Sequence, residues 1–372
     1  MPKQDFRLVQ NAIATEGQSW TAEANFFASL PEGEILKRLG YVPGGDDISL
    51  ESREKISIQN YASFLSSSPF AEAISAPSAI DWRNKNGQNF ISPVKDQGSC
   101  GSCVAFGAVA TVESKIKILR GAGYAVDLSE AHLFYCIARS QGRTCGGASG
   151  GWWPEPSQVG FRDIGVCDES CYPYTAGDQN CTGRCTDWQN RAVKTTGYTK
   201  INSIPALKEW IANNGPVQGC FSVYSDFPYY KTGVYRKTSN ATLLGGHCIS
   251  IVGYDDGQQC WICKNSWGTA WGDHGFFRIG YGQCGIDSES FGVNGILSTR
   301  WIRNKRVVGL WANGEEKNAW AYLTDEGWQK ISNNNDDGLI NTLRQLSAAK
   351  AVGSPVDVHI EDHNMIDTVY VF

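Results

Sequence analysis

Cysteine is missing from the first 99 residues of this 372-residue chain and from the last 88, although thirteen lie between Cys100 and Cys284. Thiol and disulfide chemistry is therefore confined to that middle span. No apolar run approaches the roughly 18 residues that a membrane-crossing helix requires, which excludes a helical span. The opening residues, MPKQDFRLVQ, lack a basic stretch followed by an apolar one, so a secretion signal is expected to be absent or already trimmed. Nor is there a surplus of positive charge, since 33 Lys+Arg face 38 Asp+Glu. An acidic chain without a basic stripe argues against nucleic acid as the main partner. The imbalance sits at the ends: residues 1–78 carry 6 basic against 10 acidic side chains, and residues 301–372 carry 7 against 10. Both ends are expected to be solvated surface.

What is present describes a globular chain with room for two or more cores: 41% hydrophobic residues and thirteen Trp. The odd cysteine total predicts paired cysteines plus one reactive thiol, in an oxidising compartment. The sequons Asn180-Cys181-Thr182 and Asn240-Ala241-Thr242 fit secretion or an endomembrane location.

Residues 1–78 contain short helical patterns such as EGEILKRLG and end in a Ser/Ala/Pro-rich stretch that reads as a linker or processing boundary. From there to about Gly295 a helical half (CVAFGAVATVESKIKIL, then LSEAHLFYCIA with Ser129 as N-cap) precedes a strand half (CISIVGY, QCWICKNS, GFFRIGY). That order predicts an α+β fold. The tail changes character again: RVVGLWANG and NAWAYLTDEGWQKI as strands, GLINTLRQLSAAKAV as a helix, VDVHIED and MIDTVYVF as a closing hairpin. The expected division is 1–78, 79–298 and 299–372, the last a small α+β module without cysteine.

Cys103 stands where the helical pattern begins, after a Gly-Ser turn, and a helix N-terminus lowers a thiol pKa through its unpaired N–H groups. A nucleophilic thiol then needs a partner, usually His. Of His132, His247, His274, His359 and His363, only His247 opens an apolar strand beside glycines (Gly245-Gly246). Eighteen residues on, Asn265 lies between two strand patterns near Trp267 and Trp271; a buried Asn can hold an imidazole in one tautomer while rings exclude water. Gln97 offers an amide N–H₂ that could join the Cys103 main-chain N–H around a developing oxyanion.

The stretches QGSCGSC, HCISIVGYDD and KNSWGTAWGDHGFFRI resemble the papain-like cysteine proteases, over roughly residues 15–295. The resemblance implies a helical lobe and a β-barrel lobe with a cleft between them. It implies Cys103 as nucleophile, His247 as its imidazolium partner, Asn265 as the orienter of His247, Gln97 as oxyanion donor and Trp267 as the shield over Asn265. Cys100 resembles the cysteine that pairs with the one before GG, here Cys145. Cys136 is expected to pair with Cys171 or Cys181, Cys248 to be a buried free thiol, and Cys284 to lack its usual partner. SWTAEANFFASLPEGEILKRLGYVPGG resembles the short propeptide of cathepsin B-type enzymes and implies an inhibitory segment through the cleft, with the mature chain starting near Pro77. Glu289 matches the residue that closes the S2 pocket there and admits Arg. Gly150, Gly151, Trp152 and Gly246 are expected to line the substrate, with Gly146-Gly147 a competing register. Protein or peptide substrates are implied, with no cofactor and no metal.

Other readings of the same residues are weaker. Cys100-x-x-Cys103 and Cys260-x-x-Cys263 lie 157 residues apart, far beyond ordinary zinc ribbons. His359 and His363, four apart in a strand pattern, would be separated by about 13 Å. Histidines paired in the occluding loop of cathepsin B are absent between His132 and His247, which favours endopeptidase over carboxydipeptidase activity. Val104 stands where the family nearly always has Trp. That departure keeps a catalytically weak binding protein in view, and a thioester intermediate also permits a peptide ligase.

Overall fold

The computed structural model describes residues 5–45, 47–66, 76–147, 150–297, 300–313, 318–332, 336–361 and 365–372. Most of the Ser/Ala/Pro-rich boundary and His363 lie outside them. Three separate apolar cores account for the architecture.

The first is helical. Cys103–Arg120 forms a central helix whose first fourteen residues are all buried. It stops at Gly121 (φ +104°), where the chain needs a left-handed residue, and carries Lys117 and Arg120 at its carbonyl end, where cations are favoured. Ser129 caps the next turn as expected, its hydroxyl accepting from His132 N–H, but His132–Ala138 winds as a π-helix. Pro154–Asp163 packs beside it, with Pro154 suited to a first helical turn.

The second core is a sheet lobe. Its strands run in the order Tyr198–Ile201, Ser290–Val293, Val217–Tyr224, Leu243–Asp255, Cys260–Lys264, Phe276–Gly280, Val234–Tyr235. The pairings are antiparallel except the last. The central strands are buried on both faces, which explains their continuous apolar runs. A Thr111–Ser250 hydroxyl contact at 3.0 Å ties the central helix to the long strand Leu243–Asp255. Through that contact the helix N-terminus and the strand carrying His247 share one frame.

The N-terminal segment lies across both lobes. Thr21–Ala22 pairs with Tyr230–Thr232, Trp20 is buried with its N–H on Arg236 O, and helix Leu50–Ser66 packs on the sheet lobe. The third core fills a closed barrel of Arg300–Ala312, Ala319–Leu323, Gly327–Ile331, Met365–Val371 and Pro355–Glu361, with helix Asp336–Val352 against it.

The cysteines depart from expectation. Four disulfides, Cys100–Cys145, Cys136–Cys181, Cys171–Cys185 and Cys220–Cys248, leave five thiols rather than one: Cys103, Cys167, Cys260, Cys263 and Cys284. Cys248 is therefore not a free thiol. It lies directly opposite Cys220 in the antiparallel register, a pairing visible only once two strands 28 residues apart are aligned. Closing that loop is worth about 3 kcal/mol. Cys220→Ser is expected to lower the melting temperature by several degrees and, with the other three bridges still present, to shrink the further drop that reductant causes; an unchanged melt would deny the bridge its structural role.

Candidate active site

Cys103 begins the central helix and is fully buried. The loop before it is pinned by Cys100–Cys145 and by Gly101 N–H donating to Cys145 O. The thiol faces main-chain groups of Cys248 and Gly40, so it abuts the strand that carries His247. Burial pushes it up to about 11, more than those N–H groups and the helix N-terminus pull it down.

His247 Nε2 lies 2.7 Å from Asn265 Oδ1. The same oxygen accepts from Ser266 N–H at 2.8 Å, which fixes the amide orientation because a main-chain N–H must meet an acceptor. Nε2 is therefore the protonated nitrogen, and Nδ1, which has no hydrogen-bond partner, carries the lone pair. Burial pushes the imidazole down to about 4, against the opposing influence of Asn265 and the Arg38 main chain. Trp267 lies over it at 5.0 Å between ring centroids. Behind Asn265, buried Lys264 donates to Ser92, which donates to Glu113 of the central helix. Gln97 Oε1 accepts from Ser266 Oγ, and its Nε2 donates to Cys100 O and to Arg38 O.

All four residues singled out for chemistry thus converge, but the N-terminal segment covers them. Tyr41 N–H donates to Gly246 O, Val42 N–H to Trp152 O, and Trp152 N–H to Gly40 O. Gly40 lies so close that a Cβ there would sit 1.9 Å from Gly101 O. Phe27 stacks on Trp267 at 5.3 Å, and Arg38 reaches Asp96 at 2.8 Å.

Of the two glycine pairs, the one at 150–151 precedes the residue that pairs with the N-terminal segment. Gly146 and Gly147 are exposed, whereas the main chain of Trp152 does the pairing. The Trp152 ring is buried with its N–H on Gln141, and Gly150 and Gly151 carbonyls accept from Arg143. Trp153 instead helps line a cavity of about 200 Å³ with Gly45, Asp47, Glu155, Lys200 and Glu289. Beside that cavity the Arg53 guanidinium, 1% exposed, donates to Asp47 (2.6 Å) and Glu289 (3.1 Å) beneath the Tyr41 ring. Sequence reasoning missed Tyr41, Asp47 and Arg53. The LGYVPGG stretch marked their neighbourhood, but nothing local ties a helix arginine to Glu289, 236 positions away.

The other described histidines lie away from these four residues. His132 Nδ1 accepts from Cys167 N–H, His274 occupies a turn at φ +53°, and His359 pairs with Asp367. Among the described residues, no group of three or more His, Cys, Asp or Glu could hold a metal ion, and no helix is long and apolar enough to cross a membrane. Val104 is buried in the helical core, its carbonyl accepting from Gln218 at 2.9 Å.

A two-lobed fold with a buried thiol at a helix N-terminus and an imidazole hydrogen-bonded to an amide defines a class, the cysteine peptidases. The model of the papain family cysteine proteases matches residues 76–293, and the chain belongs to that family. It is a papain-like cysteine peptidase. Among its relatives is the cathepsin B-like CP3 of Giardia intestinalis, 36% identical over 234 residues, covering 59% of this chain and 75% of the relative. Procathepsin B S9 of Trypanosoma congolense shares the fold with a TM-score of 0.61 at 22% identity, covering 79% of this chain and 98% of that one. Digestive procathepsin L2 of Tenebrio molitor gives a TM-score of 0.58 at 28% identity, covering 77% and 88%.

Proposed function

We propose that the chain is the zymogen of a cysteine endopeptidase in which Cys103 is the nucleophile, His247 its acid/base partner, Asn265 the positioning residue and Gln97 the oxyanion donor. The observation that carries this reading is the occupied cleft: Arg38 O rests on the Gln97 amide while Gly40 and Tyr41 pair with Trp152 and Gly246. Residues 1–78 act as the inhibitory propeptide, 79–298 as the catalytic domain and 299–372 as an accessory domain. Once the propeptide leaves, the Cys103 thiol gives its proton to His247 Nδ1. The thiolate adds to the substrate carbonyl, and the oxyanion takes N–H donors from Gln97 and Cys103. His247 returns the proton to the departing amine, leaving a thioester. It then deprotonates the water that hydrolyses the thioester. Four disulfides favour an oxidising compartment, secreted or endomembrane.

Arg53 on Glu289 supports the reading that the pocket accepts a guanidinium at P2 as well as apolar side chains. Losing a charge-assisted bond costs about 1.5–3 kcal/mol. Glu289→Ala is therefore expected to lower the ratio of Arg-Arg to Phe-Arg fluorogenic substrate turnover roughly tenfold or more. An unchanged ratio would remove Glu289 from specificity.

A further inference from the structure

The closed C-terminal barrel carries an aromatic surface that peptide hydrolysis does not use. Strands Arg300–Ala312, Ala319–Leu323 and Gly327–Ile331 align Trp311 with Trp320 and Lys330, and Gly309 with Tyr322 and Trp328. The alternate residues Ala321, Leu323 and Ile331 are buried in the barrel core, so the period of two turns the aligned set outward. Trp311, Tyr322 and Trp328 are 46%, 38% and 50% exposed. Three large rings held together in water on one sheet face mark an interaction site rather than ordinary surface.

The rings are seated. Tyr322 and Trp328 meet edge to face at 5.4 Å and 85°. A Cβ on Gly309 would lie 3.2 Å from Trp328 Cη2, so glycine lets that indole rest against the backbone. Trp320 is held by its N–H on Asn318 Oδ1 at 3.0 Å, with the Lys330 ammonium 6.0 Å from its ring. Binding to such a preorganised surface forfeits little side-chain entropy.

Chemistry narrows the occupant. The aligned set contains rings, one glycine and one lysine but no aliphatic side chain, which gives a platform rather than an apolar groove. Residues 301–372 carry 7 basic against 10 acidic side chains, which disfavours nucleic acid and anionic membrane. A neutral ligand with flat C–H faces and polar edges fits: a pyranose ring stacks its C–H face on an indole or phenol while its hydroxyls stay with water and Lys330. We propose that this outer face binds a neutral polysaccharide chain through Trp311, Trp320, Tyr322 and Trp328, tethering the peptidase to glycan-rich surfaces.

The full-length chain is tested by co-sedimentation with insoluble cellulose, chitin and β-1,3-glucan. Wild type is expected to be retained on at least one, with Trp311→Ala and Trp328→Ala each weakening retention at least tenfold. Gly309→Val keeps every ring yet displaces Trp328, and is expected to weaken retention too. All three variants should keep the wild-type peptidase rate after processing. Retention on none of the three polysaccharides, or equal retention of all variants, overturns the proposal. So does a wild-type dimer in analytical ultracentrifugation that Trp328→Ala dissociates, which would make the face a self-association surface.

Discussion

Cys103→Ala is expected to reduce peptide hydrolysis by the processed enzyme at least ~10⁴-fold in kcat, with KM little changed. Without the thiol no thioester forms, and His247, oriented by Asn265, can act only on water. What survives is the contribution of Gln97 and of substrate binding. His247→Ala should lose a similar amount, and the double variant little more, because the two act as a unit. In the processed wild type an epoxide thiol inhibitor should form one adduct, on Cys103. The other thiols are buried, with Cys167 and Cys260 pushed up to about 12 and Cys263 and Cys284 well above the usual range, each by burial first. Residual hydrolysis above one per cent of wild type, or labelling at another cysteine, would rule Cys103 out as nucleophile.

The uncleaved chain should behave differently toward the same reagents. With Cys103 at about 11 and His247 at about 4, thiol and imidazole are both neutral at pH 7 while the N-terminal segment covers them. The thiolate fraction is then on the order of 10⁻⁴, so alkylation of the zymogen is expected to run about 10³–10⁴-fold slower than that of the processed enzyme. Acid should release this restraint. His247 is lowered when covered, so an opened form binds a proton as pH falls below the ordinary value of 6.5, while the closed form does not until about 4. Protonation therefore favours opening across that window. Two carboxylates act in the same direction. Glu34 is held low by Lys37 and then by Ser99, and Glu16 by Ser239, so acid removes contacts that fasten the segment to the catalytic lobes. Asp287 runs the other way, raised by burial; Gly282 and Trp261 donate to it, and so does Ser57 of the segment's own helix Leu50–Ser66, so this carboxyl is a counterweight to the release. Iodoacetamide labelling of the full-length chain should accelerate from pH 7 to pH 4. A pH-independent rate, or one equal to that of the processed enzyme, would contradict this account.

Much of this site was legible in sequence because it rests on local signals. A Gly-Ser turn before a helix places Cys103, glycines before an apolar strand place His247, and Asn265 follows one strand pattern and precedes another. The α+β order and the tail elements followed from periodicity in the same way. What was not legible depends on register between distant strands or on long side chains. Cys248 reads as a core thiol until Val217–Tyr224 is laid beside Leu243–Asp255, after which Cys220 stands opposite it. Trp152 reads as a pocket wall until the pairing with Gly40 and Val42 shows that its main chain lines the cleft while its ring is buried. Arg53 carries no signal in the sequence, yet it is among the most buried side chains, held by the carboxylates of Asp47 and Glu289 from separate segments.

The closure of the C-terminal barrel bears on the survival of the enzyme in its own company. The cleft takes hold of a chain by main-chain pairing along Trp152 and Gly246, as the segment at Gly40–Val42 demonstrates, and so requires a strand with unsatisfied N–H and C=O groups. An open sheet would offer such a strand at each edge. In the barrel every strand already has a neighbour on both sides. Among its described residues the appendage therefore presents no open strand edge for that kind of pairing.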